Sequence, residues 1–370
     1  MTWLIPDVFP ASLPPGAGAW VGLVTADGRL QSRTIGLPDA SQVRFQLGSI
    51  AKLVTALTVD VLRCQGQLTL ADRILPSGPV TLRHLLTHTA GLPDTLQSGS
   101  LDVAPSVDAC LFPPDRVFSY TNLGFALLGA WLEQQTGEPL ADLVWRLVFA
   151  PYGMSQARFD RSPWAAAGGL TATGQDVAQL LGGLLRSPAQ LAALLATTVN
   201  VPSRPGLAAG LGCFRRQRGE VRLVEHEGFI DDSAGVVCLV PEQGWGYAVL
   251  TKSWPHRLRH TLDRLEAAWF GQRPATETRL TRLPREDHER YVGEYVNGPR
   301  RLRIASRGDT LYLERQGTAL PLVRAAPDRL AVAVPLPNKP SDVTVLLDDD
   351  GRAFGLYPFG SLRALGRLLG

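Results

Sequence analysis

In "AWVGLVTADGRLQSRTIG" apolar residues alternate on either side of Asp27-Gly28, and an Asp-Gly pair between alternating runs is a hairpin turn signal. The period then changes. In "SIAKLVTALTVDVLRCQG" the apolar residues Ile50, Leu53, Val54, Leu57, Val61 and Leu62 fall at helical spacing. Gly48 frees the turn ahead of this helix, and Gly66 stands where a C-terminal cap is expected. From about Leu70 to Leu195, "TLRHLLTHTAGLPD", "NLGFALLGAWLEQQTG", "PLADLVWRLVFAPYGM" and "TGQDVAQLLGGLLRSPAQLAALLA" read as helices divided by Pro, Gly and Ser breaks. Strand patterns return in "EVRLVEHEG", "SAGVVCLVPE" and "WGYAVLTKS", and "PHRLRHTLDRLEAAWFG" closes the region as a helix. Strands at both ends with helices between predict an α/β (α+β) unit. It has one antiparallel sheet assembled from its two ends, flanked by helices, with a helical insertion over about 70–205.

After Gly271 the pattern breaks. "QRPATETRLTRLPRED" is polar, charged and Pro-containing, which assigns 276–285 to a linker between a unit at 1–275 and a smaller one at 286–370. The short runs "YVGEYV", "RLRIAS", "TLYLERQG", "DRLAVAV" and "DVTVLLDDDGRAFGLYPFG" predict a small all-β barrel or sandwich there.

At 370 residues, 45% hydrophobic and 19% charged, the composition is that of globular domains, and the length suits two of them. A net charge of +3 with no long run of one sign points away from nucleic acid, and the densest basic patch, "RRQR" at Arg215–Arg218, reads as a solvated turn. No run of 18 apolar residues predicts a membrane span, and the opening "MTWLIPDVFPASLPPG" lacks a basic n-region, so a cytoplasmic location is expected. Cys64, Cys110, Cys213 and Cys238, without a C-x-x-C, read as buried free thiols.

The cations carry a sharper signal. Of 37 Lys and Arg residues only Lys52, Lys252 and Lys339 are lysine. A lysine kept in an apolar helix asks for a property arginine lacks, and a desolvated lysine can lose its proton and act as a base. Ser49 and Lys52 lie at i and i+3, on one face of the helix, where the hydroxyl can meet the amine. The helix N-terminus beside Ser49 favours an oxyanion. Tyr120 and Asn122 in "FSYTNLGFALLG" precede another apolar helix: a phenol both gives and takes protons, and an amide can hold a lysine and a substrate carbonyl together. His226 and Gly228 in "EHEGFIDDSAG" stand at the end of a strand pattern, with the following Phe229 N–H a second oxyanion donor. His84 and His88 at i, i+4 lack the glutamate of H-E-x-x-H and read as structural, His256 and His260 as an exposed helix face, and Asp348–Asp350 as a turn.

Ser49-Ile50-Ala51-Lys52, Tyr120-Thr121-Asn122 and His226-Glu227-Gly228, in this order, resemble the S-x-x-K, Y-x-N and H-x-G elements of the serine β-lactamase-like superfamily. That family includes penicillin-binding proteins, D-peptidases, class C β-lactamases and esterases. The resemblance spans roughly residues 15–270, and the tail is similar to the small barrel of some esterase and D-aminopeptidase members. It implies a hydrolase without metal or cofactor that acts on a small ester or amide. Ser49 is acylated, Lys52 assists its deprotonation, and Tyr120 relays the proton to the leaving group and then activates water. Asn122, His226 and Gly228 support the substrate, and the Ser49 and Phe229 N–H groups hold the oxyanion. His226 in place of the K-T-G lysine removes a fixed positive charge and shifts the expectation toward esters or uncharged amides: carboxylesterase first, then β-lactam, then D-peptide. "TKSW" at Thr251–Trp254 mimics a third motif one strand late. The alternative is a non-catalytic or penicillin-binding module whose barrel recognises a partner.

Overall fold

The N-terminal hairpin forms as its alternation dictates. β1 (Gly18–Thr25) and β2 (Leu30–Ile35) pair antiparallel around the Asp27-Gly28 turn, and Gly28 takes φ +87°, which glycine adopts without strain. The computed structural model describes residues 4–8, 16–37, 43–74, 78–94, 110–253, 258–271, 280–334 and 340–368. Residues 276–279 of the linker expected at 276–285 lie outside these residues, as do His256, Trp254 and Lys339.

β3 (Arg44–Gly48) leads into α1 (Ala51–Cys64), which ends on Gly66 at φ +71°. α2 (Leu82–Leu86) and α3 (Asn122–Thr136) follow, then helices at Leu140–Val144, Gly174–Arg186 and Pro188–Leu195. Within this insertion β4 (Arg158–Phe159) and β5 (Leu170–Thr173) join β3 in a three-stranded sheet. β6 (Val199–Asn200), β7 (Leu207–Ala209), β8 (Phe214–Arg218), β9 (Val221–Ile230), β10 (Ser233–Val240) and β11 (Trp245–Lys252) complete an eight-stranded antiparallel sheet of order β2-β1-β11-β10-β9-β8-β7-β6. The sheet is assembled from both ends of this region, as its pattern predicts. One face packs with α1, α3 and Gly174–Arg186 around Leu47, Ile50, Val54, Leu57 and Phe125. The other is covered by the helix Leu258–Phe270 through Leu258, Leu262 and Leu265.

Several local readings are corrected. "RRQR" is strand β8, not a solvated turn. Arg216 pairs with Glu225 and Glu266 (2.7 and 2.6 Å), and Arg218 with Glu266 (2.9 Å), so these arginines neutralise interior carboxylates. Of the four thiols, all unbridged, only Cys213 and Cys238 are buried; Cys64 is exposed and Cys110 half-buried. His226 and Gly228 lie inside β9 rather than at its end.

The C-terminal region is a closed barrel of eight strands. These are β12 (Gly293–Asn297), β13 (Arg300–Arg307), β14 (Thr310–Arg315), β15 (Thr318–Ala326), β16 (Arg329–Val332), β17 (Asp342–Leu347), β18 (Ala353–Pro358) and β19 (Leu365–Arg367). Its interior is filled by Tyr295, Ile304, Leu313, Val343 and Leu356. A fourth apolar cluster joins the barrel to the sheet edge, with Tyr357 and Ala364 packed among Phe112, Phe118, Tyr120, Leu207 and Phe214. Among the described residues no helix is long and apolar enough to cross a membrane.

Candidate active site

Ser49 occupies the turn between β3 and α1, and the backbone there is shaped by two glycines. Gly48 takes φ +47°, and a Cβ on it would stand 2.9 Å from the Phe229 carbonyl oxygen. A Cβ on Gly228 would stand 1.9 Å from the Leu47 carbonyl oxygen. Gly228 therefore lets the turn that carries Ser49 lie close against β9. The two glycines bring the backbones of Ser49 and Phe229 together, and both residues line the same cleft.

Lys52 is fully buried on the first turn of α1. Its Nζ donates to Asn122 Oδ1 (2.8 Å) and to the Ala167 carbonyl (2.6 Å), and lies 3.2 Å from Ser49 Oγ. Burial holds this amine well below the usual lysine range, the Arg363 charge adds to the effect, and Asp94 opposes it. A neutral amine has two N–H groups and one lone pair. In that form, with both N–H groups given to Asn122 and Ala167, the lone pair would be the part left for the Ser49 hydroxyl.

Tyr120 is buried with its hydroxyl hydrogen-bonded to Ser49, and burial raises the phenol well above the ordinary tyrosine range. Its ring stacks on His88 with centroids 4.3 Å apart, and Lys52 Nζ lies 4.9 Å from the ring centroid. His88 accepts the Thr121 N–H on Nδ1 (3.3 Å) and is held well below the usual histidine range by burial and by Lys52, His226 and Arg363. It is the neutral plate behind Tyr120. Sequence reasoning gave His88 a structural role without placing it at the site. His84 stays away, its ring engaged by the Thr81 N–H and by Asp115.

His226 is buried, and its Nδ1–H donates to the Glu227 carbonyl at 2.7 Å, which leaves Nε2 unprotonated. Desolvation and the nearby Lys52 push its pKa down to about 3. It therefore supplies no positive charge. Lys252, at the exposed end of β11, lines neither cavity beside Ser49.

Two arginines, Arg204 and the barrel's Arg363, supply the cations of the cleft. Arg363 lines the cavity of about 380 Å³ that holds Ser49, Tyr120, Asn122 and His226. Its Cζ lies 5.1 Å from the Tyr120 ring centroid and its Nε 2.6 Å from Asp94 Oδ2. Asp94, itself buried, also accepts the Asn122 N–H at 3.4 Å, and its own N–H donates to Asn297 Oδ1 of the barrel at 2.8 Å. The Tyr120 N–H donates to the Leu362 carbonyl at 2.8 Å. Sequence reasoning missed Arg363 and Asp94. Asp94 closes the quoted "LPD", whereas nothing in "SLRALG" sets Arg363 apart from other surface arginines.

The Beta-lactamase family model matches residues 17–268. The chain belongs to the Beta-lactamase family. Penicillin-binding protein 4* of Bacillus subtilis (strain 168) is 33% identical over 135 residues, 31% of this chain and 30% of that protein. Esterase EstB of Burkholderia gladioli is 34% identical over 164 residues, 35% and 42% of the two chains. A D-aminopeptidase of Cereibacter sphaeroides (strain ATCC 17029 / ATH 2.4.9) is 23% identical over 97% of this chain and 82% of its own. The matches to the penicillin-binding protein and the esterase thus span well under half of those relatives. Among solved structures, SurE with D-Leu overlays with a TM-score of 0.79 at 24% identity, covering 95% of both chains, so the shared fold includes the barrel.

Proposed function

We propose that this Beta-lactamase family chain is a serine hydrolase that cleaves esters or amides through an acyl-serine at Ser49. The observation that carries the reading is the fully buried Lys52, whose Nζ contacts Asn122 Oδ1, the Ala167 carbonyl and, at 3.2 Å, Ser49 Oγ, in surroundings that push the amine toward its neutral form. In this reading Lys52 takes the Ser49 proton as Oγ attacks the carbonyl carbon, and the Ser49 and Phe229 N–H groups hold the oxyanion. When the carbonyl re-forms, the bond to the leaving group breaks. Tyr120 gives that group its proton and is replenished from Lys52. Because its phenol is held protonated, Tyr120 acts as a relay and not as a standing phenolate. Deacylation runs the same path with water in place of the leaving group.

The loss of lysine at position 226 pointed toward uncharged substrates. Arg363 supports a different class: its Nε side faces Asp94, neither Nη makes a hydrogen bond among the described residues, and the side chain walls the cleft. We assign it to a carboxylate, or an equally polar oxygen, on the leaving part of the substrate. The division of labour is then a catalytic unit to about residue 275 and a barrel that completes its cleft.

The test is parallel turnover of p-nitrophenyl butyrate and nitrocefin by wild type and Ser49→Ala, with fluorophosphonate labelling read by intact mass. A Ser49 adduct, with turnover lost in Ser49→Ala, supports the hydrolase. No adduct and no turnover of either probe would favour a binding module.

A further inference from the structure

On the other side of Ser49 lies a second cavity, of about 400 Å³, which shares Ser49, Asn122 and Phe229 with the first. Tyr120 lines only the first cavity. If Tyr120 protonates the leaving group, that group departs toward Arg363 and the acyl group occupies the second cavity. Among the described residues the only charged one lining this acyl side is Asp160, with Trp164 and Gly169 beside it.

The Asp160 carboxylate is fixed in place. Its Oδ1 accepts the Ser162 N–H (2.9 Å) and the Ser162 hydroxyl (2.7 Å), and the Asp160 N–H donates to the Gly169 carbonyl at 2.9 Å. Gly169 leaves room for it, since a Cβ there would stand 2.7 Å from Oδ1. Capping the Ser162 turn occupies one oxygen. Oδ2 has no hydrogen-bond partner and no cation pairs with Asp160 among the described residues, because Arg161 is turned to Asp142 (2.8 Å) and Arg158 to the Ala157 carbonyl (2.7 Å). The half-buried Trp164 adds an aromatic surface on the same wall, and indole faces attract ammonium groups.

We propose that Asp160 and Trp164 form a subsite for a protonated amine on the acyl part of the substrate, so that the enzyme takes aminoacyl esters or amides. This rests on the acyl-serine reading above. With Arg363 on one side of the nucleophile and Asp160 on the other, a dipeptide-like molecule binds in one direction: amine toward Asp160, carboxylate toward Arg363, scissile carbonyl at Ser49.

The experiment compares kcat/KM for alanine p-nitroanilide with that for its N-acetyl derivative, in both the D and L series. Wild type is expected to prefer the free amine by about tenfold or more, the scale of one charge-assisted contact. That preference fades as the pH rises through the substrate α-amine, near about 8. Asp160→Asn should collapse the free-to-acetylated ratio toward one, and Asp160→Glu should keep part of it. Equal turnover of the two forms by wild type, or an equal loss on both in Asp160→Asn, overturns the subsite and leaves Asp160 as a turn residue. Fluorophosphonate labelling of the same preparations separates the two failures: a labelled Ser49 with no amine preference sinks the subsite alone, and an unlabelled Ser49 sinks the hydrolase reading and the subsite with it.

Discussion

The Arg363 guanidinium lies 5.1 Å from the Tyr120 ring centroid while its Nε reaches 2.6 Å from Asp94, so one barrel residue touches both Tyr120, the proposed proton relay, and the residue that holds the start of α3. Replacing it with methionine keeps most of the packing and removes the charge. For a substrate with a carboxylate on its leaving part, Arg363→Met should lower kcat/KM about ten- to a hundredfold, with a smaller change for p-nitrophenyl butyrate. Since the Arg363 charge helps keep Lys52 neutral, its loss should also raise the Lys52 pKa and move the acid limb of the pH–rate profile to higher pH. Equal losses on both substrates with an unmoved acid limb would make Arg363 a packing residue.

Lys52→Arg keeps a long basic side chain but gives up the ability to cycle a proton near neutral pH. Arginine would also bring a permanent cation into a fully buried site. Turnover should fall by about 10²- to 10⁴-fold, the range for loss of a general base. Near-normal burst kinetics with p-nitrophenyl butyrate would remove Lys52 from the proton path.

Tyr120→Phe deletes the relay without emptying the stack on His88. Deacylation should slow enough for an acyl-enzyme on Ser49 to accumulate, visible as a mass shift in the intact protein. Unchanged steady-state turnover would mean that Lys52 and water manage the leaving group alone.

The buried histidines set an acid limit on stability. His226 is held near a pKa of about 3 and His88 well below its usual 6.5, both by burial first. Between those values and 6.5 the unfolded chain binds the extra protons, so the stabilisation present above pH 6.5 is lost as pH falls through that window. Tm should therefore decline from about pH 6.5 downward. In His226→Gln, which keeps a polar side chain without an imidazole, the decline should be shallower. An identical pH dependence of Tm in the variant would refute the assignment.

Gly228→Ala places a methyl where the Leu47 carbonyl already sits. We expect a loss of stability together with a nearly complete loss of Ser49 labelling, because the nucleophile turn must move off β9. A variant that labels at the wild-type rate would show that the contact yields easily.

The hairpin, α1 and the three strands β9, β10 and β11 were legible because each declares itself through local period. Ser49 and Lys52 were legible for the same reason: i and i+3 on a helix meet whatever the rest of the chain does. β8 was not. After Phe214 its inward side chains are arginines, and hydrophobic periodicity is blind to a buried face built from ion pairs such as Arg216–Glu266. The packing of Gly228 against the Leu47 carbonyl was hidden for a related reason, since a glycine in a strand shows that something approaches closely but not what. Arg363 is the plainest miss. Its meaning depends on how the barrel docks against the segment around Tyr120, a relationship between distant parts of the chain that no window of sequence contains.

That docking has a consequence for recombination. The Leu362 carbonyl accepts the Tyr120 N–H, the Ala364 N–H donates to Ser119 Oγ, and the Tyr357 hydroxyl reaches the Phe118 carbonyl. The backbone just ahead of α3 is thus clasped by β18 and its connection to β19. Chimeras that exchange the barrel between relatives would not swap an accessory; they would transplant one wall of the reaction chamber together with its charge. The stretch from β18 to β19 is accordingly a compact cassette in which selectivity can be altered by laboratory evolution while Ser49, Lys52 and Tyr120 stay untouched.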